Sequence, residues 1–162
     1  MPPFYDIYGL SQKRDKETIE VFLNYFCYRD KEENRGPGEG IFLENEELGI
    51  DEEFILVNTL SQVIDYGIKN PNGVFAFYLN KYFKNVESVI LCFTNDNQIV
   101  FGVSVEVNRI ENGQLIDNAD KCDQLAEAIA VLTSAHKTIM GVELPPPRSE
   151  NEIDELLLKG RF

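Results

Sequence analysis

Ile19, Phe22, Leu23 and Phe26 stand at i, i+3, i+4 and i+7, the spacing that puts four side chains on one helix face. The pattern predicts a helix capped by Ser11 or Asp15 and ending near Arg29. Two short apolar runs follow, IFLEN (41–45) and FILV (54–57), which read as strands on either side of an acidic turn. Thr59 and Gln62 have the spacing of a capping box. Leu60, Val63, Ile64 and Gly67 continue as one helical face until NPNG (70–73) breaks it.

From Val74 onward the period shortens. VFAFYLN (74–80), SVILCFT (88–94) and IVFGVSVEV (99–107) predict three strands in an antiparallel meander, the last two joined as a hairpin by Asn95-Asp96-Asn97-Gln98. In the third run Ile99, Phe101, Val103, Val105 and Val107 alternate with Val100, Gly102, Ser104 and Glu106. One face is therefore apolar, and the other is expected to be partly wet. Asn112-Gly113 marks a turn. A third helix is expected from Asp117 or Asn118, with Cys122, Leu125, Ala126, Ile129 and Leu132 or Thr133 inward and Asp120 and Asp123 at its positive end. KTIMGVEL (137–144) reads as a strand stopped by Pro145-Pro146-Pro147. Ser149 with Glu152 then opens a short helix, with Ile153, Leu156 and Leu157 inward.

The predicted order is helix, two strands, helix, three strands, helix, strand, helix. Such runs indicate an α+β fold, a largely antiparallel sheet with about four helices packed on one face, rather than regular βαβ alternation. The 162 residues suit a single domain spanning 1–162. Hydrophobic residues make up 43% of the chain, with eleven Phe, seven Tyr and no Trp, enough for a core without metal or disulfide staples.

Charge narrows the function classes. With 28 Asp and Glu against 15 Lys and Arg the chain carries −13, which opposes nucleic-acid phosphates and anionic lipid surfaces. Residues 36–68 hold eight acids and no Lys or Arg, whereas Lys69, Lys81 and Lys84 make only a small basic patch. A basic partner fits this balance better than a nucleic acid or a membrane. Cys27, Cys92 and Cys122 form no CxxC and sit in apolar stretches, as reduced, buried thiols do. MPPFYDIYGLSQKRD lacks the pattern of a secretory signal, and no apolar run approaches a membrane span, so a cytoplasmic location is expected.

Catalytic signals are sparse. His136, the sole histidine, falls at the expected end of the third helix, where a capping or packing role is the plain reading. Asp51-Glu52-Glu53 and Asp96-Asn97 do not extend into a calcium loop, and the cysteine spacing fits no zinc site. Gly36-Pro37-Gly38-Glu39-Gly40 lacks the Lys-Ser/Thr ending of a phosphate loop and contains an acid. No cofactor or metal is called for. The stretch from Glu39 to Phe54 stands out, because Glu39, Glu44, Glu46, Glu47, Asp51, Glu52 and Glu53 surround Phe42 and Phe54. These acids read either as protection of a sheet edge or as an interface, apolar anchors in a carboxylate field that would meet a Lys/Arg-rich partner. Two other classes stay open: a small-molecule enzyme using Asp/Glu and His136, and a homo-oligomeric module joined through the Val/Phe face of 99–107.

LCFTNDNQIVFGVSV (91–105), the acidic helix after it and GVELPPPRSENE (141–152) resemble a group of small uncharacterised bacterial proteins. In size and acidity the chain is similar to immunity proteins of bacterial toxin systems. The resemblance covers the second half of the chain and transfers no functional residue. It implies a non-enzymatic, stoichiometric inhibitor that masks the active site of a cognate toxin domain, often a basic nuclease.

Overall fold

The structure, a computed structural model, describes residues 3–27, 41–44, 54–57, 59–80 and 86–159, with only the backbone at 41–44, 54–57 and Asn80. Among these residues the chain runs β1 (Phe4–Ser11), α1 (Lys16–Phe26), β2 (Ile41–Glu44), β3 (Phe54–Val57), α2 (Leu60–Lys69), β4 (Phe75–Asn80) and β5 (Ser88–Phe93). It continues through β6 (Ile99–Glu106), β7 (Asn108–Glu111), β8 (Gln114–Asp117), α3 (Ala119–Thr133), β9 (Lys137–Val142) and α4 (Glu150–Lys159). Five strands form one antiparallel sheet in the order β4-β5-β6-β1-β9, and β2–β3 and β7–β8 are separate two-stranded ribbons. The α+β class and the 74–107 meander stand as expected.

The N-terminal strand does not. Residues 4–11 gave no strand expectation, yet β1 lies between β6 and β9 in the sheet. Asp6 and Gly9 interrupt its apolar run, and both have tertiary reasons. Asp6 accepts hydrogen bonds from the Ser104 hydroxyl and, at 2.8 Å, from the Leu144 amide. Burial nonetheless raises its carboxyl above the ordinary range. A Cβ at Gly9 would lie 2.6 Å from Ile129 Cγ2, so α3 reaches the strand only over a bare backbone. Ser11 belongs to this strand, and Asp15 is the cap of α1, accepting from the Thr18 amide at 2.8 Å.

One face of the sheet holds the larger core. Ile19, Phe22, Leu23 and Phe26 of α1 are buried there with Leu60, Val63 and Ile64 of α2 and Cys122 and Ile129 of α3. Phe22 packs between Phe26 and Phe101, with ring centroids 5.1 and 4.8 Å away. The capping box of α2 is complete, each of Thr59 and Gln62 bonding the other's backbone amide. The three free cysteines are buried.

The reverse face corrects the expectation of a one-sided, partly wet sheet. Tyr8, Leu10, Ile90, Cys92, Val100 and Ile139 are buried on it beneath Ile153 of α4. Ser104 is 6% exposed because Asp6 satisfies its hydroxyl. Tyr8 ties this layer down by donating to the Leu144 carbonyl at 2.5 Å. Leu157, expected inward, is 41% exposed, at a shallow concavity that it shares with Thr138, Ile139 and Met140 of β9.

Polar contacts place α4. Glu150 meets Lys137 Nζ at 2.6 Å, Gln98 Nε2 at 3.0 Å and His136 Nε2 at 3.4 Å, while its own amide donates to Asp96. Lys137, then Gln98 and His136, hold the Glu150 carboxyl down at about 2. Ser149 caps the helix as expected, but Glu152 returns its bond to the Arg148 amide instead of completing a box. His136 therefore does not cap α3. That helix ends at Ser134 in the left-handed region (φ 54°), and the histidine lies beyond, facing α4.

Arg14 binds the parts together. Its buried guanidinium donates to Gly67 O (2.9 and 2.8 Å), Thr94 O (2.6 Å), Gln98 O (2.9 Å), Asn70 O (2.7 Å) and Gly73 O (3.1 Å). The group lies 5.1 Å from the Phe93 ring centroid. Burial lowers its pKa to about 10, so it stays charged at neutral pH. Replacing it strands several buried carbonyls at once. Arg14→Met is expected to cost about 3–5 kcal/mol, read as a fall in Tm of roughly 6–20 °C. Arg14→Lys should recover little of this, since an ammonium has three donors and no fork. A loss under about 1 kcal/mol in urea unfolding would remove Arg14 from this role.

The Glu150 contacts predict a pH effect with a definite sign. Its folded pKa lies below the ordinary 4.5, so its contribution is present above that value and fades as pH falls toward about 2. Glu150→Gln should lower the urea midpoint at pH 7 and narrow the gap between the pH 7 and pH 3 midpoints. An unchanged pH 7 midpoint would show that the cluster does not hold α4.

Candidate functional site

α3 presents two chemistries on opposite sides. Cys122, Ile129 and Thr133 are buried, whereas Asp120, Asp123, Gln124, Glu127 and Val131 follow helical spacing along the solvent side. Burial pushes the Cys122 thiol up to about 11, which keeps it protonated and unreactive at neutral pH.

The β7–β8 hairpin precedes α3 and is anchored to it. Asn112 (φ 52°) and Gly113 (φ 78°) both take positive φ, as a two-residue type I′ turn requires. Asn118 closes the base: its side chain donates to Glu106 O at 2.7 Å and accepts from Arg109 at 2.5 Å. Arg109 also pairs with Glu111 at 3.2 Å and Asp120 at 3.5 Å. Asp117 accepts from the Tyr5 hydroxyl at 3.0 Å and the Ala119 amide at 2.7 Å, which raises the tyrosine's pKa.

Ile110 and Leu115 lie directly opposite one another in the hairpin register. They are 77% and 71% exposed, on the face away from Arg109 and Ile116. Between Glu106 and Val131 six acids (Glu106, Glu111, Asp117, Asp120, Asp123, Glu127) accompany only Arg109 and Lys121. Arg109 is already engaged, so the surface is distinctly negative. Where α3 meets α1, a shallow concavity of about 350 Å³ is lined by Tyr25, Ala128, Val131 and Leu132, with Glu127 at its side. Val131 there is 76% exposed. α3 thus carries its carboxylates ahead of an apolar concavity at Val131, and the hairpin tied to it carries an exposed apolar pair on the strand face opposite Arg109.

The sequence-predicted interface lies elsewhere. Phe42 and Glu44 fall in β2 and Phe54 in β3, and the ribbon sets Glu44 opposite Phe54 and Phe42 opposite Leu56. Glu39, Glu46, Glu47, Asp51, Glu52 and Glu53 lie outside the described residues. Sequence reasoning missed Ile110 and Leu115. Their equal distance from Asn112-Gly113 was the available signal, since a two-residue turn makes such residues cross-strand neighbours.

Other chemistry is less well provided. His136 bonds Glu150, and its amide donates to Leu10 O, four residues along β1 from the Asp6–Ser104 pair. Among the described residues no group of three or more His, Cys, Asp or Glu is gathered to hold a metal ion. Among the same residues no helix is long and apolar enough to cross a membrane. Compared with known proteins, the chain matches no protein-family model, no curated sequence and no solved structure.

Exposed side chains that serve the fold little can be removed without penalty. The double variant Ile110→Ser/Leu115→Ser is expected to keep its urea midpoint within about 0.5 kcal/mol of the parent. A loss above about 2 kcal/mol would mean that the pair packs within the fold rather than facing solvent.

Proposed function

We propose that the protein is a non-enzymatic binding module for a basic protein partner, of the immunity type that inhibits a cationic toxin domain. The observation that carries this reading is the exposed Ile110–Leu115 pair on a hairpin that Arg109 ties to the acidic helix α3. Isolated exposed aliphatic residues are ordinary, but two in register on an anchored hairpin form a preorganised apolar tip. The surrounding carboxylates supply long-range attraction for Lys and Arg, and the apolar residues supply the desolvated centre of the contact. A bound inhibitor needs no catalytic group of its own. It acts by covering the partner's cationic cleft with a surface of opposite sign. The acids of 39–53 with Phe42 and Phe54, read from their sequence, extend the same chemistry.

Affinity capture from the native host with the full chain tests the reading, at about 50 and 300 mM salt with mass spectrometry of what is retained. One basic protein at near-equal stoichiometry, shed as salt rises, is expected. Asp120→Lys/Asp123→Lys/Glu127→Lys should then slow its association about tenfold or more. Ile110→Ser/Leu115→Ser should mainly speed its dissociation. Failure to retain a basic protein at either salt overturns the binding reading, and unchanged kinetics in both variants moves the interface off this face.

A further inference from the structure

The reverse face of the sheet is covered unevenly. α4 and the Leu144–Pro147 segment bury residues of β5, β6, β1 and β9. Among the described residues nothing lies over the β4 end, and a groove of about 640 Å³ opens there. Two other concavities among the described residues measure about 350 and 290 Å³. Small-molecule sites fall within roughly 300–1,000 Å³, and a covering helix about 10 Å across needs more room.

The floor is sheet. Ala76 pairs in register with Cys92, and Tyr78, a residue 55% exposed, follows on the same face. One wall is Leu144 with the proline run. Pro145, Pro146 and Pro147 have no N–H, so this wall presents pyrrolidine rings and carbonyls but no backbone donors there. The Pro147 carbonyl already accepts from the Cys92 thiol at 3.3 Å. α4 lines the groove as well, with Leu156 packed against the reverse-face core.

Among the described residues the charges at the rim are balanced. Arg148 and Lys159 face the groove together with Glu152 and Glu155, and Arg148 pairs with Glu152 at 3.5 Å. In a chain of net charge −13 this neutrality contrasts with the acidic α3 face. An ionic ligand finds no net complement here, whereas a ring finds Tyr78 below and proline rings beside it.

We propose that this groove is a binding site for an uncharged, flat aromatic small molecule, stacked on Tyr78 and flanked by Pro145 and Pro146. The site is separate from the α3 face, and its occupancy does not depend on a protein partner.

Titration of the full chain with the uncharged dye N-phenyl-1-naphthylamine tests the proposal. Saturable one-to-one binding is expected, with Kd of the order of micromolar and less than about twofold change between roughly 50 and 500 mM salt. Ala76→Phe, which fills the groove, and Tyr78→Ala, which removes the stacking ring, should each weaken binding about tenfold or more. Ile110→Ser/Leu115→Ser should leave it unchanged. Tyr78→Ala alters an exposed ring, so it keeps the test decisive should Ala76→Phe fail to fold. Absence of saturable binding, or equal binding by Tyr78→Ala, overturns the proposal. So does loss of binding in the hairpin variant, which would place the dye on the α3 face.

Discussion

The Arg14 guanidinium, buried and met by backbone carbonyls, is the contact on which the arrangement of parts depends. It converges on the last turn of α2, the 70–73 loop and the β5–β6 turn, where Asn70 O and Gln98 O also accept from the Gly73 and Thr94 amides. A helix C-terminus carries partial negative charge, so a cation there compensates several carbonyls at once. A carboxylate partner would neutralise the group but take the donors that Gly67 O, Thr94 O and Gly73 O now use. The cation also explains why a charged residue can sit at the edge of a core rich in Phe: its flat face lies over Phe93 while its rim makes hydrogen bonds.

With the turns held, the sheet can be buried on both faces. β1 is the means. Its odd-numbered positions meet the three-helix layer through Ile7 and the gap at Gly9, and its even-numbered positions meet the α4 layer through Tyr8 and Leu10. Such a strand serves two cores, so it does not show the hydrophobic-in, polar-out alternation of a one-sided sheet. The α4 layer is thinner and is fastened by polar contacts at its start, Glu150 with Lys137 and Gln98, and by Ile153 further on. Among the described residues a groove lies between α4 and β4.

Two surfaces of different character result. Along α3 and the β7–β8 hairpin, acids collect because the inner side of the helix is fully committed to the core, and the hairpin holds two aliphatic residues in water. Beside β4, apolar sheet surface remains with its rim charges in balance. The first suits a large cationic partner reached by long-range attraction, the second a compact uncharged ligand recognised at contact.

Periodicity alone determined α1, α2, α3 and the 74–107 meander, because local apolar spacing and capping residues act within a few positions of one another. Local residue chemistry likewise determined that Thr59 opens α2 and that Asn112-Gly113 turns the chain. It left the choice between Ser11 and Asp15 open, and it passed over β1. Asp6 and Gly9 have meaning only against Ser104, Leu144 and Ile129, which are distant in sequence. The same holds for the candidate site. Net charge pointed to a basic partner, but the exposure of Ile110 and Leu115, and of Tyr78 in the groove, was decided by where neighbouring layers end. A residue's spacing says which side of its element it occupies; only the packed structure decides whether anything covers that side.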